Sequence, residues 1–400
     1  MLKLQLIRYE IYRLATQGPA IGNNTLWVVG QCVDSGKPGF LIAQPLLLPW
    51  ILHSRACRRQ SRVNPAEQYR VEVELTPAPG KEMPCLIAHS DVDAIMPRSV
   101  PGKTRYMNES VAARITALSC WKNKIDIEPL SGGMTNLNFK VGDGADQFVV
   151  RFGEDDPIHL ISRANEVASS QAAFKVGVSP ELVHHEAGIL VTRFIEGRVF
   201  TEAEVRVDAN LQRILELLHR FHHEVPEQFN GIAVMFWVFQ VLRHYHNLLM
   251  QGGSAHVGRL PELAKISREL EAAVGPVEIV FGHNDLLPAN FIDDGNRIWL
   301  IDFDYAGFNS PLFDLSNLAS NNELDAAQEL LMLQRYFGTD PDPVKLASYH
   351  AMKCASLLRE TMWSMVSELY SKIDMDFADY TDKNLARFES AYTEYRNNYH

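Results

Sequence analysis

Three residues have the types and spacing to bring oxygen chemistry to one place: Asp285, Asn290 and Asp302, with Asp304 close behind. They fall in the run Ile279 to Phe308, where apolar Phe291-Ile292 leads into Asp294-Gly295-Asn296 and Ile298 to Ile301 leads back. This is the pattern of a β-hairpin, and it predicts that Asn290 and Asp302 meet near the open end. A carboxylate beside an amide offers hard oxygen ligands suited to Mg²⁺, which takes few protein oxygens and keeps waters. A second carboxylate in reach of a hydroxyl accepts its proton. Asp285 is the candidate base, Asn290 and Asp302 the candidate metal ligands, and Asp304 a candidate for a second ion. Any one of them alone fits a surface turn; the ordered set does not.

His283-x-Asp285, then Asn290 five residues on, then Asp302-Phe303, has the order and spacing of a kinase catalytic loop followed by its metal-binding aspartate. The chain resembles the choline kinase and aminoglycoside phosphotransferase branch of the protein-kinase-like fold. The resemblance implies an α+β, bilobal architecture with a small β-rich N-lobe and a mostly helical C-lobe. It also implies ATP as phosphoryl donor and Mg²⁺ as cofactor, with Asp285, Asn290 and Asp302 as the catalytic set. His283 reads as a brace for the loop rather than a substrate contact.

A nucleotide lobe must precede such a loop. Leu130-Ser-Gly-Gly-Met-Thr-Asn136 lies between strand-like Ile125 to Ile127 and Leu137 to Val141. Gly132 and Gly133 let the backbone close over phosphates, and Ser131, Thr135 and Asn136 add polar groups. Taken alone, two adjacent glycines also make a plain turn. Phe148 to Phe152 reads as a central strand carrying Arg151, and Arg163-Ala-Asn-Glu166 opens a helical stretch to Val176. Residues 178–183 and 189–195 read as further strands. By resemblance, Arg151 contacts phosphate and Glu166 orients it as a bidentate pair. The family's adenine-contacting hinge falls on Thr192 to Ile195, which includes Arg193 and Ile195.

Ala209 to His222 has Leu211, Ile214, Leu215, Leu218 and Phe221 at helical spacing. His219, His222 and His223 have no acidic or cysteine partner in ligand-like register and read as packed or solvated side chains. Asp314, in the stretch after the catalytic loop, is by resemblance a brace beneath that loop. The aromatic-rich segment Met352 to Tyr380 is closer to choline kinases than to antibiotic kinases. It implies an aromatic site for an ammonium head group, with Trp363, Tyr380 and Tyr305 as walls and Glu323 or Glu360 as counter-charge. Choline kinases typically carry two tryptophans three residues apart; here the first position is Glu360, and Met375 stands where an aromatic is common. Choline, ethanolamine, thiamine and another amino-alcohol therefore stay open as acceptors.

The whole composition agrees with a globular enzyme. The 400 residues are 46% hydrophobic and 22% charged, ample for a core and incompatible with a fibre or a disordered chain. Residues 1–106 carry a net charge of +5 and ten of the 20 prolines, whereas the remainder carries −16. The shift sets off an N-terminal segment of uncertain fold over 1–106, and the resemblance implies an N-lobe over 107–197 and a C-lobe over 198–400. Strand-like runs at Thr25 to Val29 and Tyr69 to Leu75 suggest a small β-containing module at the start. The patch Arg55, Arg58, Arg59, Arg62 lacks the aromatic interleaving of a nucleic-acid site and reads as a solvated face. Five scattered cysteines with no Cys-x-x-Cys pair suit a reduced, cytoplasmic protein. The longest apolar run, Phe40 to Leu52, is broken by Pro45 and Pro49 and predicts no membrane insertion. The expected partners are ATP and a small amino-alcohol, with no nucleic acid; oligomeric state is not legible. The rival readings are an aminoglycoside-type or thiamine-type kinase, and a catalytically silent kinase fold that only binds.

Overall fold

A computed structural model describes residues 109–130, 136–371, 373 and 375–399, together with four short strands nearer the start. The chain divides into two compact units, residues 1–101 and 102–400. In the first, β1 (Gly30–Gln31) pairs antiparallel with β2 (Phe40–Leu41), and β3 (His53–Ala56) with β4 (Val71–Glu74). β4 lies inside the run expected as a strand at 69–75. The run at 25–29 and residues 131–135, with Ser131, Gly132, Gly133 and Thr135, lie outside the described residues.

The second unit opens with α1 (Glu109–Ala117) and an antiparallel sheet. Its strands are β5 (Ile125–Leu130), β6 (Leu137–Asp143), β7 (Asp146–Phe152), β8 (Leu182–Glu186) and β9 (Ile189–Arg193), in spatial order β5-β6-β7-β9-β8, with α2 (Arg163–Lys175) crossing between β7 and β8. Strand alternation decides which way β7 faces. Phe148, Val150 and Phe152 pack into a small core with Phe139, Val141 and Ile115, so Val149 and Arg151 point the other way. The strand expected from residue 178 starts only at Leu182: Pro180 has no N–H for the ladder, and the pairing is irregular between Leu182 and His184.

A helical lobe follows: β10 (Arg198–Val199), α3 (Glu202–Val205), α4 (Asp208–Gln228), α5 (Val238–Gly252), α6 (Leu260–Val274), β11 (Val280–Gly282), β12 (Phe291–Asp293), β13 (Ile298–Leu300), β14 (Gly307–Asn309), α7 (Pro311–Asn321), α8 (Ala326–Phe337), α9 (Pro343–Tyr370) and α10 (Phe377–Asn398). Helix α4 extends the stretch expected at 209–222 because Leu211, Ile214, Leu218, Phe221 and Val225 keep one apolar stripe in the core. Helix α9 is buried along most of its length and is packed by α5, α6, α7 and α10. A sheet lobe followed by a helical lobe is the α+β, two-lobed architecture expected from sequence.

Two small ladders aim the chemical residues. The hairpin β12–β13, with β10 on its edge, places Phe291 opposite Leu300, and the Ile301 N–H closes onto the Asn290 carbonyl at 3.1 Å. β11 pairs with β14, Gly282 opposite Gly307, so the segment leading to Asp285 and the segment leaving Asp304 are held side by side. No helix among the described residues is long and apolar enough to cross a membrane.

Candidate active site

The loop after β11 cannot hold its shape unaided. Asn284 and Asp302 both adopt left-handed backbone, with φ of 66° and 68°, a region that Asn and Asp enter more readily than other side chains but still at a cost. Asp314 on α7 stabilises this shape. Its fully buried carboxylate accepts the His283 and Asn284 N–H groups, both at 2.7 Å, and the His222 Nε2–H of α4 at 2.9 Å. Burial alone would raise its pKa; the bonds from His222 and from the loop outweigh that and hold it below the usual carboxylate range. Tyr336 lies 2.6 Å from the other His222 nitrogen, Asn317 receives the Leu286 N–H at 2.6 Å, and Asn309 donates to the Asn284 side chain. Burial keeps His283 neutral. Its Nε2–H therefore donates to the Ile301 carbonyl at 2.9 Å, and its Nδ1 accepts the Asp285 N–H at 3.3 Å. This is the bracing read from sequence.

Asp314→Ala leaves these donors buried without an acceptor and is expected to cost about 3 kcal/mol or more. The sign with pH follows from the depressed pKa. The contribution is complete above the unfolded value of about 4 and vanishes as pH falls through the folded value. Urea denaturation at neutral and acid pH checks this: the variant's deficit should shrink on acidification, and a pH-independent deficit would contradict the role.

The Asn290 Nδ2–H is taken by the Asp285 carbonyl at 2.8 Å, which fixes the amide and leaves its oxygen free to face a cation. Across from it, Asp302 Oδ1 is buried and accepts no well-directed hydrogen bond, its near neighbour being Arg151 Nη1 at 3.0 Å. A carboxylate oxygen with no well-directed hydrogen bond, lining the same cleft as an oriented amide, suits a hard divalent ion. Asp285 is half-buried and lines the cleft. Burial, with the carboxylates of Glu360, Asp302 and Asp304, pushes it up to about 8 against the opposing charge of Arg359.

Asp304 departs from the expected role of a second-ion ligand. Its Oδ1 receives Arg151 Nη2 at 2.5 Å and Arg163 Nη1 at 2.6 Å, and its Oδ2 receives the Asn136 amide at 3.3 Å. Both oxygens are engaged by the sheet lobe and α2. Glu166 likewise serves two arginines, Arg151 Nη1 at 2.8 Å and Arg163 Nη1 at 2.6 Å, rather than one bidentate pair. Arg163, to which the sequence reading gave no role, is thus half of the cationic pair; its i,i+3 spacing from Glu166 was the available sign. Asn136, expected at the nucleotide, bonds to Asp304 and Arg163. Gly153 permits the arrangement, since a Cβ there would lie 2.6 Å from Asn136 Oδ1 and 2.7 Å from Arg163 Nη2.

These groups open into one cleft of about 680 Å³. One end is lined by Val149, Leu190, Thr192, Phe194, Ile195 and Ile292, an apolar slot beneath the sheet. Ile195 lies in it, and Arg193 borders it while its exposed guanidinium pairs with Glu181 and Asp146. The other end is walled by Tyr305, Trp363, Tyr380, Arg359 and Glu360 around Asp285. Glu323 does not join them: it is exposed beyond the end of α7, 3.6 Å from Arg206, and lines no part of the cleft. It stands in the turn just after α7, on the exposed side. Of the two candidate counter-charges, Glu360 is the one in the cleft.

The sequence model of the choline/ethanolamine kinase family matches residues 127–331, just over half of the chain. Ethanolamine kinase 2 of Rattus norvegicus is 27% identical over 335 residues, covering 76% of this chain and 83% of that protein. Protein LicA of Haemophilus influenzae is 24% identical over 260 residues, 63% of this chain and 96% of that one. A solved structure of a choline/ethanolamine kinase family protein from Mesorhizobium loti superposes with a TM-score of 0.58 at 25% identity, covering 70% of this chain and 93% of the other. The matched segment contains the sheet lobe from within β5 onward, the paired arginines and the loop and hairpin that carry Asp285, Asn290 and Asp302. The chain is a kinase that belongs to the choline/ethanolamine kinase family.

Proposed function

We propose that this enzyme transfers the γ-phosphoryl group of ATP to the hydroxyl of a small amino-alcohol of the choline or ethanolamine type. The observation that carries the reading is the position of Asp285, which faces one cleft between the oxygen pair Asn290 and Asp302 and the aromatic wall of Tyr305, Trp363 and Tyr380. In this reading residues 107–197 hold the nucleotide and residues 198–400 hold the catalytic loop and acceptor. The adenine ring lies in the apolar slot, against the backbone of Thr192 to Ile195.

Asn290 and Asp302 would hold Mg²⁺. When bound, it would neutralise charge on the phosphates. Asp304 then acts indirectly, by holding Arg151 and Arg163 where Arg151 can face phosphate oxygens. The acceptor's ammonium rests against the aromatic wall, which turns its hydroxyl toward Asp285. Asp285 takes the hydroxyl proton as the oxygen attacks phosphorus. Most of the remaining rate enhancement comes from alignment and fixed charge. Phosphorylated amino-alcohol and ADP leave.

The test is ADP release by the full chain with Mg-ATP against ethanolamine, choline, thiamine and an aminoglycoside. Turnover on either of the first two is expected. Turnover on thiamine or the antibiotic alone would replace the proposed acceptor, and binding of ATP with no turnover on any would favour the silent fold.

A further inference from the structure

The wall that faces Asp285 is not a plain aromatic cage. Arg359, 2% exposed, lies over the Tyr305 ring with its guanidinium carbon 4.5 Å from the ring centroid. One face of Tyr305 is therefore already taken by a cation. Trp363 and Tyr380 meet edge to face, centroids 6.3 Å apart at 85°, and their polar tips are tied down: the Trp363 indole N–H donates to the Tyr305 hydroxyl at 3.1 Å, and the Tyr380 hydroxyl donates to Glu360 Oε1 at 2.8 Å. Glu360 Oε2 accepts Arg359 Nη1 at 2.9 Å. Each Glu360 oxygen holds one of these bonds and retains lone-pair capacity for another.

Elimination leaves Glu360 as the anion for an incoming ammonium. Asp304 is engaged on both oxygens by Arg151, Arg163 and Asn136, on the side of the sheet lobe and α2, Asp302 is turned toward Arg151, and Asp285 is the base for the hydroxyl. Yet Arg359 offsets the charge of Glu360, so the wall attracts a cation weakly through net charge. What it offers is directed: unfilled carboxylate lone pairs that reward an N–H donor and give nothing to a methyl group. A site built for a hydrogen bond also discriminates against a ligand unable to make it, because its polar group is then covered without a partner.

We propose that Glu360, held by Arg359 and Tyr380, is the specificity-determining residue of the acceptor site, and that it selects alcohols bearing a protonated amine with N–H groups over quaternary ammonium alcohols. This rests on the amino-alcohol kinase reading above and narrows its substrate class. Glu360 contacts the acceptor ammonium and takes no part in proton transfer from the hydroxyl.

The experiment measures kcat/KM for ethanolamine, N-methylethanolamine, N,N-dimethylethanolamine and choline with saturating Mg-ATP, in the native enzyme and in Glu360→Gln. The native enzyme should lose kcat/KM along the series, at least about 30-fold overall, with the steepest step on losing the last N–H. Glu360→Gln should lower kcat/KM for ethanolamine more than about tenfold and leave choline within a few-fold, collapsing the ratio, with KM for ATP unchanged. A native enzyme that uses choline as well as ethanolamine overturns the inference whatever the variant does, as does a variant that is active with its ratio intact. Absence of turnover on all four acceptors by native enzyme that still binds ATP removes the amino-alcohol reading itself; a flat series removes only the role of Glu360.

Discussion

Asp285→Asn is expected to lower kcat by about 10²–10⁴-fold, while the affinity for ATP stays within about threefold of native. The substitution keeps the size of the side chain and the backbone bonds of the loop. Those bonds run through the Asp285 N–H to His283 and through its carbonyl to Asn290, not through the carboxyl. What is lost is the carboxylate proposed to accept the proton. Asp302 is paired with Arg151, Asp304 with Arg151 and Arg163, and both nitrogens of His283 are taken up within the loop. Steady-state kinetics with direct nucleotide binding check the prediction. A variant retaining a tenth or more of native kcat would remove Asp285 as the base. A variant that no longer binds ATP would show that its carboxylate acts on the nucleotide side instead.

Asp304→Ala is expected to cost about 3–5 kcal/mol of stability, the range for breaking a buried ion pair by removing one partner. Its carboxylate receives two guanidiniums whose side chains are only 14% and 13% exposed. Without it, Arg151 keeps Glu166 and Asp302, but Arg163 keeps Glu166 alone among the acidic groups. Activity should fall as well, through displacement of Arg151 rather than loss of an ion. Denaturation by urea with and without Mg²⁺ separates the roles. An equal loss in both conditions supports a structural anchor, whereas unchanged stability with a higher Mg²⁺ requirement would return Asp304 to the metal.

The residues that sequence made legible are those whose partners are close along the chain. Asp285, Asn290 and Asp302 sit on one loop and one hairpin, so local turn chemistry and strand pairing bring them together, and the amphipathic stripe of α4 announced that helix in the same way. The role of Asp304 was not legible because its partners Arg151 and Arg163 are 153 and 141 residues away in sequence. Two acidic residues beside a catalytic loop look alike until their counter-ions are known. Arg359 was missed for a different reason: a basic residue in a helix is ordinarily solvent-facing, and only the packing of Tyr305, Phe236 and Glu360 around it shows that this one is buried. Glu323 was one of two counter-charges implied by the resemblance, and its exposed place in the turn after α7 keeps it out of the cleft. The first hundred residues carry the shift in charge and proline content, and two strand pairs lie among them; neither indicates a chemical role.

The left-handed backbone at Asp302 and Asn284 also bears on how this family of enzymes could diverge. At a φ of 68° Asn is tolerated as readily as Asp, so Asp302→Asn is a change the main chain accepts while the carboxylate is lost. The buried anchors at Asp304 and Asp314 would remain in place, and with them the cleft. A folded descendant able to bind ligands but unable to transfer phosphate is therefore one residue away at position 302, whereas at 304 or 314 a single replacement endangers the scaffold first. Catalysis and architecture are thus separable at one aspartate and inseparable at its neighbours.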